Sequence, residues 1–380
     1  MKTAKINVKN GDLLETLQDF FRSILQLEDI SAILVPQHLP AKNVVMPTLV
    51  TDPEQLNGTD PLAPVFPLNA AKIVSRLTRK PMGAKVAVVL RPCEIRAFVE
   101  LVKLKQGRIE EVILVGIDCL GAFKNSDYIH INGKKEEEFT SRFYKDVLSG
   151  KRLTFAGFDL APACKACENP VPNGSDISIG LFGVDVNNHV LIQARTPKGE
   201  TLYDNLDFFD SEEPLERLAA IESLVAERTA YRDKMFAETT EATNSLEKLN
   251  RYFAECVNCY NCRVACPVCY CKECVFVTDV FDHEPTQYLR WAQQKGILKM
   301  PTDTVFYHLT RLAHMSTACI GCGQCSNACP NEIPVMEVFR TISRFTQKAF
   351  DYVPGRSVEE EPPLSTFREE ELRELTGGKD

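Results

Sequence analysis

A pair of cysteine runs toward the C-terminal end constrains this chain more than any other feature. The first reads Cys256-Val-Asn-Cys259-Tyr-Asn-Cys262-Arg-Val-Ala-Cys266-Pro267, the second Cys319-Ile-Gly-Cys322-Gly-Gln-Cys325-Ser-Asn-Ala-Cys329-Pro330. Both follow C-x2-C-x2-C-x3-C-P, the spacing in which three thiolates wrap one [4Fe–4S] cube and the fourth crosses to a second cube. Two copies form a reciprocal pair. The spacing therefore predicts Cys256, Cys259, Cys262 and Cys329 on one cluster, and Cys319, Cys322, Cys325 and Cys266 on the other. A tetrahedral zinc ion has no use for a third cysteine at the same step. Disulfides need an oxidising compartment, and Met1-Lys-Thr-Ala-Lys-Ile-Asn-Val8 contains no apolar signal segment. Two cubane clusters in one chain move electrons.

At 380 residues the chain has room for two or three domains. A net charge of −8 argues against a nucleic-acid partner and fits docking to a basic patch on another protein. No apolar run reaches the roughly 18 residues that cross a bilayer, so any membrane association is expected through a partner. Fifteen cysteines without an export signal predict a reducing cytoplasm and anaerobic or oxygen-protected conditions.

The pattern predicts an α/β domain over residues 1–212. Leu13 to Leu27 has apolar residues at helical spacing, and Lys85-Val-Ala-Val-Val-Leu90 reads as a buried strand. A helical segment, Ile95 to Lys105, and a further strand, Glu110 to Gly116, complete a βαβ unit with parallel strands. Ligands of open α/β sheets sit at the carboxyl ends of strands, which puts Cys93 and Cys119 on one rim. Asp176 to Asp185 and Val190 to Tyr203 read as strands with turn residues between or within them, at Asn187-Asn188 and Pro197-Lys198-Gly199. Residues 213–245 form a charged helical connector, with Ser245 as N-cap of the helix that delivers Cys256. The stretch between Cys266 and Cys319 carries helical patterns at Thr286 to Gln294 and Thr304 to His314. Residues 246–350 are thus expected to form an all-α dicluster ferredoxin domain. The acidic tail, 351–380, reads as an arm that packs on a neighbour or stays mobile.

Seven cysteines remain. Cys93, Cys119 and the pair Cys164 and Cys167 offer four thiolates for a third cube, although spacing alone also allows Cys93 and Cys119 to be buried apolar residues. Cys269, Cys271 and Cys274 fall within six residues of one another. They leave two readings open: a fourth cluster completed by Asp282, His283 or a partner's thiolate, or core residues lining the first cube. His308 and His314, six apart on a helix, read as packing or surface residues. No G-x-G-x-x-G or P-loop pattern supports a nicotinamide site.

Four segments, in order, resemble the coenzyme F-420 hydrogenase/dehydrogenase beta-subunit family. Arg91-Pro-Cys93-Glu-Ile-Arg-Ala97 resembles its G-x-P-C-Q-I-x-A turn, and Gly116-Ile-Asp-Cys119 its G-L-x-C strand end. Gly174-Ser-Asp-Ile-Ser-Ile-Gly180 resembles its A-D-I-S-x-G segment, and Val190 to Gly199 the strand and turn that follow. The likeness spans roughly residues 83 to 210. Leu90 and Glu94 stand where the family has Gly and Gln, and the dicluster part follows the α/β domain. The resemblance implies a bound FAD, with Asp176 and Gly180 carried over as cofactor contacts, and a third [4Fe–4S] cluster on Cys93, Cys119, Cys164 and Cys167. The formate-dehydrogenase beta-like members are the most similar overall.

The resulting expectation is an electron-transfer beta subunit of a multisubunit oxidoreductase with no catalytic acid or base of its own. Expected partners are a formate dehydrogenase, a hydrogenase or heterodisulfide-reductase-like subunits, with ferredoxin a further candidate. The alternative is a self-contained ferredoxin-dependent flavin reductase acting on an organic substrate or a deazaflavin.

Overall fold

The computed structural model describes residues 2–39, 44–132, 139–151, 154–155, 157–271, 273–278, 284–295, 303–363 and 365. A seven-stranded mixed sheet organises the N-terminal half: β1 (Lys2–Asn7), β2 (Ile30–His38), β3 (Val45–Val50), β4 (Lys85–Leu90), β5 (Val112–Ile117), β6 (Ile177–Gly180) and β7 (His189–Ala194). Its order is β1-β7-β6-β5-β4-β2-β3. β2, β4, β5 and β6 run parallel, while β1, β7 and β3 complete the edges antiparallel.

Helices α1 (Leu13–Leu25), α2 (Ala71–Leu77), α3 (Pro92–Lys103), α4 (Asn125–Asn132), α5 (Phe139–Leu148), α6 (Pro162–Lys165) and α7 (Pro197–Asn205) decorate it. The βαβ unit forms as the pattern predicts, with Val86 opposite Val112 in parallel register. Its helix begins at Pro92, where the missing N–H costs nothing, and Glu94 reaches back to accept from Arg91 N. One expectation needs correction. Within Val190 to Tyr203 the strand ends at Ala194, and the residues from Pro197 on, expected as a turn and further strand, form α7. Thr196 Oγ1 accepts from Gly199 N and Pro197 occupies the first turn, so residues that resemble a turn are a helix N-terminus.

α1, α4, α5 and α7 bury one sheet face around Phe20, Phe21, Phe143 and Tyr203. The other face is covered by α2, α3 and the C-terminal half. That half comprises α8 (Glu216–Thr243), α9 (Leu246–Tyr252), α10 (Asn261–Ala265), α11 (Pro285–Lys295), α12 (Asp303–Met315), α13 (Gln324–Asn327) and α14 (Val335–Ala349). Leu312, Met315, Val335, Val338 and Phe339 join Val86, Val88, Ile95, Phe98 and Leu114 in a single apolar core. The sheet and the helical region are therefore welded through shared burial, the dominant favourable term in folding. Ser245 caps α9 by accepting from Lys248 N, as the sequence predicts.

The beginning of the acidic tail packs on its own chain. Tyr352 Oη donates to both Glu100 carboxylate oxygens at 2.7 and 2.8 Å, and Gly355 N donates to Glu100 at 2.7 Å. Gly355 adopts φ +75°, and a Cβ there would stand 2.4 Å from Arg96 Cβ, so only glycine permits this approach. Residues 366–380 lie outside the described part. No described helix is long and apolar enough to cross a membrane.

Candidate metal centres

The fifteen cysteines are all unpaired thiols. Cys256, Cys259, Cys262 and Cys329 line one cavity together with Tyr307, His308 and Pro330. Asn258 and Tyr260 take left-handed φ of 51° and 59°, which turns the chain back within the loop that carries Cys256, Cys259 and Cys262. Cys262 is buried and Cys259 exposed. This group is wet at one edge and dry at the other.

Cys319, Cys322, Cys325 and Cys266 form a deeper group. Burial pushes the Cys319, Cys322 and Cys325 thiols up, and the proximity of Cys266 raises each further. Gly321 and Gly323, at φ +72° and +79°, supply the left-handed turns of this loop. A Cβ on Gly323 would stand 2.4 Å from Ala163 Cβ, so the loop lies directly on α6, next to Cys164.

The third group gathers at the carboxyl ends of β4 and β5. Cys93 sits in the first turn of α3, Cys119 follows β5, and α6 brings Cys164 and Cys167 over them. Burial raises Cys93 well above the ordinary thiol value, with Glu94, Cys119, Cys322 and Cys167 adding to it. Burial likewise pushes Cys164 up to about 12, with Cys119 and Cys167 adjacent. Cys322 of the second group thus neighbours Cys93 of the third. Cys164, Cys322 and Cys329 also border one cavity of about 350 Å³, lined by Phe66, Phe123, Lys124 and Glu337 among others.

The three remaining cysteines divide. Cys269 lies beside Cys266, its thiol pushed by burial to about 11. Cys274 packs instead near Cys262, Phe276 and Tyr307. Asp282 and His283 lie outside the described residues. Among the described residues no three His, Cys, Asp or Glu side chains close around a single metal ion.

Buried thiols at raised pKa are neutral unless a metal takes the thiolate form, since ligands must be deprotonated. The surrounding charges fit an anionic occupant. Arg91, Arg228 and Arg311 are 9%, 5% and 4% exposed, and none forms an ion pair with a described carboxylate. Arg228 donates to Cys119 O at 3.3 Å, and Arg91 donates to Ala63 O at 2.7 Å. Both lower the Cys119 thiol, against the larger opposing effect of burial. Arg311 Nη1 donates to Cys262 Sγ at 3.1 Å. Buried guanidinium groups without carboxylates are costly unless other negative charge is present. Thiolate-bound clusters supply such charge.

Beside the first group stand Tyr307 and Arg311, which the sequence did not single out, and His308, which it read as a packing or surface residue. α12 carries Tyr307, His308 and Arg311 on its buried face at helical spacing. His308 is buried beside Cys256, with Nε2 3.5 Å from Sγ, and stacks on Phe253 at 3.9 Å. Burial, then Arg311, holds its imidazole down at about 3. His314 is exposed, as expected of a surface residue.

Asp176 and Gly180 are engaged by the protein itself. Asp176 Oδ2 accepts from Leu114 N at 2.8 Å and Oδ1 from Thr196 Oγ1 at 2.5 Å. A Cβ on Gly180 would stand 3.0 Å from the Arg217 guanidinium, which fills that space.

Residues 83–208 match the family described as the C-terminal part of the coenzyme F420 hydrogenase/dehydrogenase beta subunit. Residues 252–333 match the 4Fe-4S dicluster domain. The chain is 27% identical over 334 residues to the F420-dependent formate dehydrogenase subunit beta of Methanocaldococcus jannaschii, covering 82% of this chain and 83% of that one. It is 28% identical over 347 residues to the F420-dependent formate dehydrogenase 1 subunit beta of Methanococcus maripaludis, covering 84% of each. It is also similar to the sulfhydrogenase 2 subunit beta of Pyrococcus furiosus, at 24% over 188 residues, 43% of this chain and 56% of that one. The beta-subunit segment and the dicluster domain together make the chain an iron–sulfur oxidoreductase subunit.

Proposed function

We propose that this chain is the electron-transferring beta subunit of a multisubunit anaerobic oxidoreductase, with three [4Fe–4S] clusters and one FAD. The observation that carries the reading is that the cysteine groups adjoin one another, Cys322 beside Cys93 and Cys325 against Cys262, among the buried guanidinium groups of Arg91, Arg228 and Arg311, which form no ion pair with a described carboxylate. We assign Cys93, Cys119, Cys164 and Cys167 to the cluster of the α/β domain. Cys266, Cys319, Cys322 and Cys325 hold the middle cluster, and Cys256, Cys259, Cys262 and Cys329 the outer one. Bound clusters supply one-electron transfer, and a flavin exchanges it with two-electron chemistry. Arg91, Arg228 and Arg311 hold anionic charge in place, while the shared apolar core keeps water from the inner thiols.

For the flavin ring we favour the cavity of about 350 Å³ beside Cys164, Cys322 and Cys329, within the size of small-molecule sites. Asp176 and Gly180 then act as structural supports. The names of the relatives favour a formate-oxidising catalytic subunit as partner and coenzyme F420 as carrier. A hydrogenase or heterodisulfide-reductase-like subunit is the next partner in order, and ferredoxin the next carrier. The same cavity favours, as a second reading, a self-contained reductase of an organic substrate or a deazaflavin.

The test is iron, acid-labile sulfide and flavin per chain on anaerobically purified protein. Three cubes give about 12 irons, alongside one flavin. About 8 irons without flavin after reconstitution would leave only the dicluster part of the proposal standing. Turnover of a deazaflavin or an organic acceptor by the isolated chain would favour the second reading.

A further inference from the structure

The two clusters of the helical region are held by the same cysteine motif, yet their surroundings differ in one respect. Arg311 Nη1 donates to Cys262 Sγ at 3.1 Å, and Nη2 donates to Cys262 O at 3.2 Å. The guanidinium is clamped between aromatic rings, 5.6 Å from the Tyr307 centroid and 4.6 Å from that of Phe339. It has no ion pair to a described carboxylate. Tyr307 Oη stands 3.4 Å from the same sulfur, and His308 Nε2 stands 3.5 Å from Cys256 Sγ. His308 Nδ1 is buried without a partner. A thiolate only accepts, so Nε2 carries the proton and donates.

Among the described residues the middle group has no charged side chain that donates to a ligand sulfur; the Arg311 charge also reaches Cys266 and Cys325, but its hydrogen bonds go to Cys262. Backbone N–H groups lie beside Cys319 and Cys322, and Ser343 Oγ is buried without a hydrogen-bond partner. Arg340, whose charge acts on Cys319, is paired with Glu168. Hydrogen bonds to cluster sulfurs and net local charge set cluster potentials, and positive charge favours the reduced, more negative state. Charged donors in a dry site act more strongly than neutral ones.

We propose that Arg311, assisted by Tyr307 and His308, raises the reduction potential of the cluster on Cys256, Cys259, Cys262 and Cys329 above that of the cluster on Cys266, Cys319, Cys322 and Cys325. The inference rests on the ligand assignment made above. One electron passing outward oxidises the middle cluster by one and reduces the outer cluster by one, with no bond made or broken. Electrons then come to rest at the cluster whose Cys259 reaches the surface, where a partner's redox centre can collect them.

The experiment is a redox titration followed by electron paramagnetic resonance on the full chain, purified anaerobically with its iron counted. Cys259→Ser identifies the outer cluster's signal by altering it. Arg311→Met is expected to lower the reduction equilibrium constant of that signal at least tenfold, 59 mV for one electron. Arg311→Lys should recover part of the loss, and Tyr307→Phe should shift the same signal the same way by less. Arg311→Met and Tyr307→Phe with full iron and an unmoved outer potential overturn the proposal. Should Arg311→Met lose iron, Tyr307→Phe decides alone. A wild-type chain that holds no clusters after reconstitution overturns the ligand assignment as well, which separates the two failures.

Discussion

Arg217 and Asp118 meet in the interior, Nη1 to Oδ2 at 2.7 Å and Nη2 to Oδ1 at 3.2 Å, with neither side chain more than 1% exposed. The same Asp118 oxygen accepts from Leu181 N at 2.8 Å and Phe182 N at 3.1 Å, so the carboxylate is fully satisfied. This pair fixes the start of α8 to the end of β5, one residue before Cys119. Arg217→Met leaves a buried carboxylate without its cation and is expected to cost roughly 3–5 kcal/mol, read as a lower urea midpoint by circular dichroism. An unchanged midpoint would mean that the pair contributes nothing net.

The glycines around Arg217 give a graded test. A Cβ on Gly183 would lie 2.4 Å from Arg217 Cα, and φ there is +64°. A Cβ on Gly180 would meet only the end of the side chain, at 3.0 Å. Gly183→Ala should therefore destabilise more than Gly180→Ala, by about 1 kcal/mol or more from the left-handed backbone alone. Equal thermal shifts in the two variants would contradict the argument.

Removing one thiol of the α/β group should remove a whole cube. Cys119→Ser, or Cys164→Ser, is expected to lower bound iron from about 12 to about 8 per chain while the dicluster signals persist. Retention of all the iron in both variants would return Cys93, Cys119, Cys164 and Cys167 to the status of core residues.

Cys269, Cys271 and Cys274 are expected to behave differently. Cys269 lies beside Cys266 and Cys271, whereas Cys274 packs near Cys262. The triple serine variant should keep the wild-type iron count. A fall of about four irons would instead identify a fourth cube.

Gly323 lets the second cysteine loop rest on α6. Gly323→Ala places a Cβ 2.4 Å from that of Ala163 at a backbone φ of +79°. The expected outcome is faster hydrogen exchange over residues 161–167, with dicluster iron retained. Unchanged exchange would show that the contact yields without cost.

The sequence was legible where one physical signal dominated. The five apolar residues of β4 from Val86 to Leu90, its proline-started helix and β5 declare a βαβ unit, and the cysteine steps declare cubane chemistry. α7 was hidden because Thr196, Pro197 and Gly199 serve a helix start and a turn equally well. β1 was missed because an exposed edge strand, Lys-Thr-Ala-Lys-Ile-Asn, buries only Ala4. Tyr307 and Arg311 escaped notice for a different reason. A tyrosine and an arginine four apart on an amphipathic helix resemble a solvated face, and only their contact with Cys262 distinguishes them.

The apolar residues shared between β4, β5, α12 and α14 have a further consequence. An excised helical region would present Leu312, Met315, Val338 and Phe339 to water, and the sheet left behind would bare Val86, Val88 and Leu114. Such faces aggregate. The ferredoxin-like half is thus not a detachable cartridge that evolution or an engineer can exchange by cutting at α8. Any transplant must carry the strand residues beneath it, and electrons cross between the halves at separations that no hinge can vary.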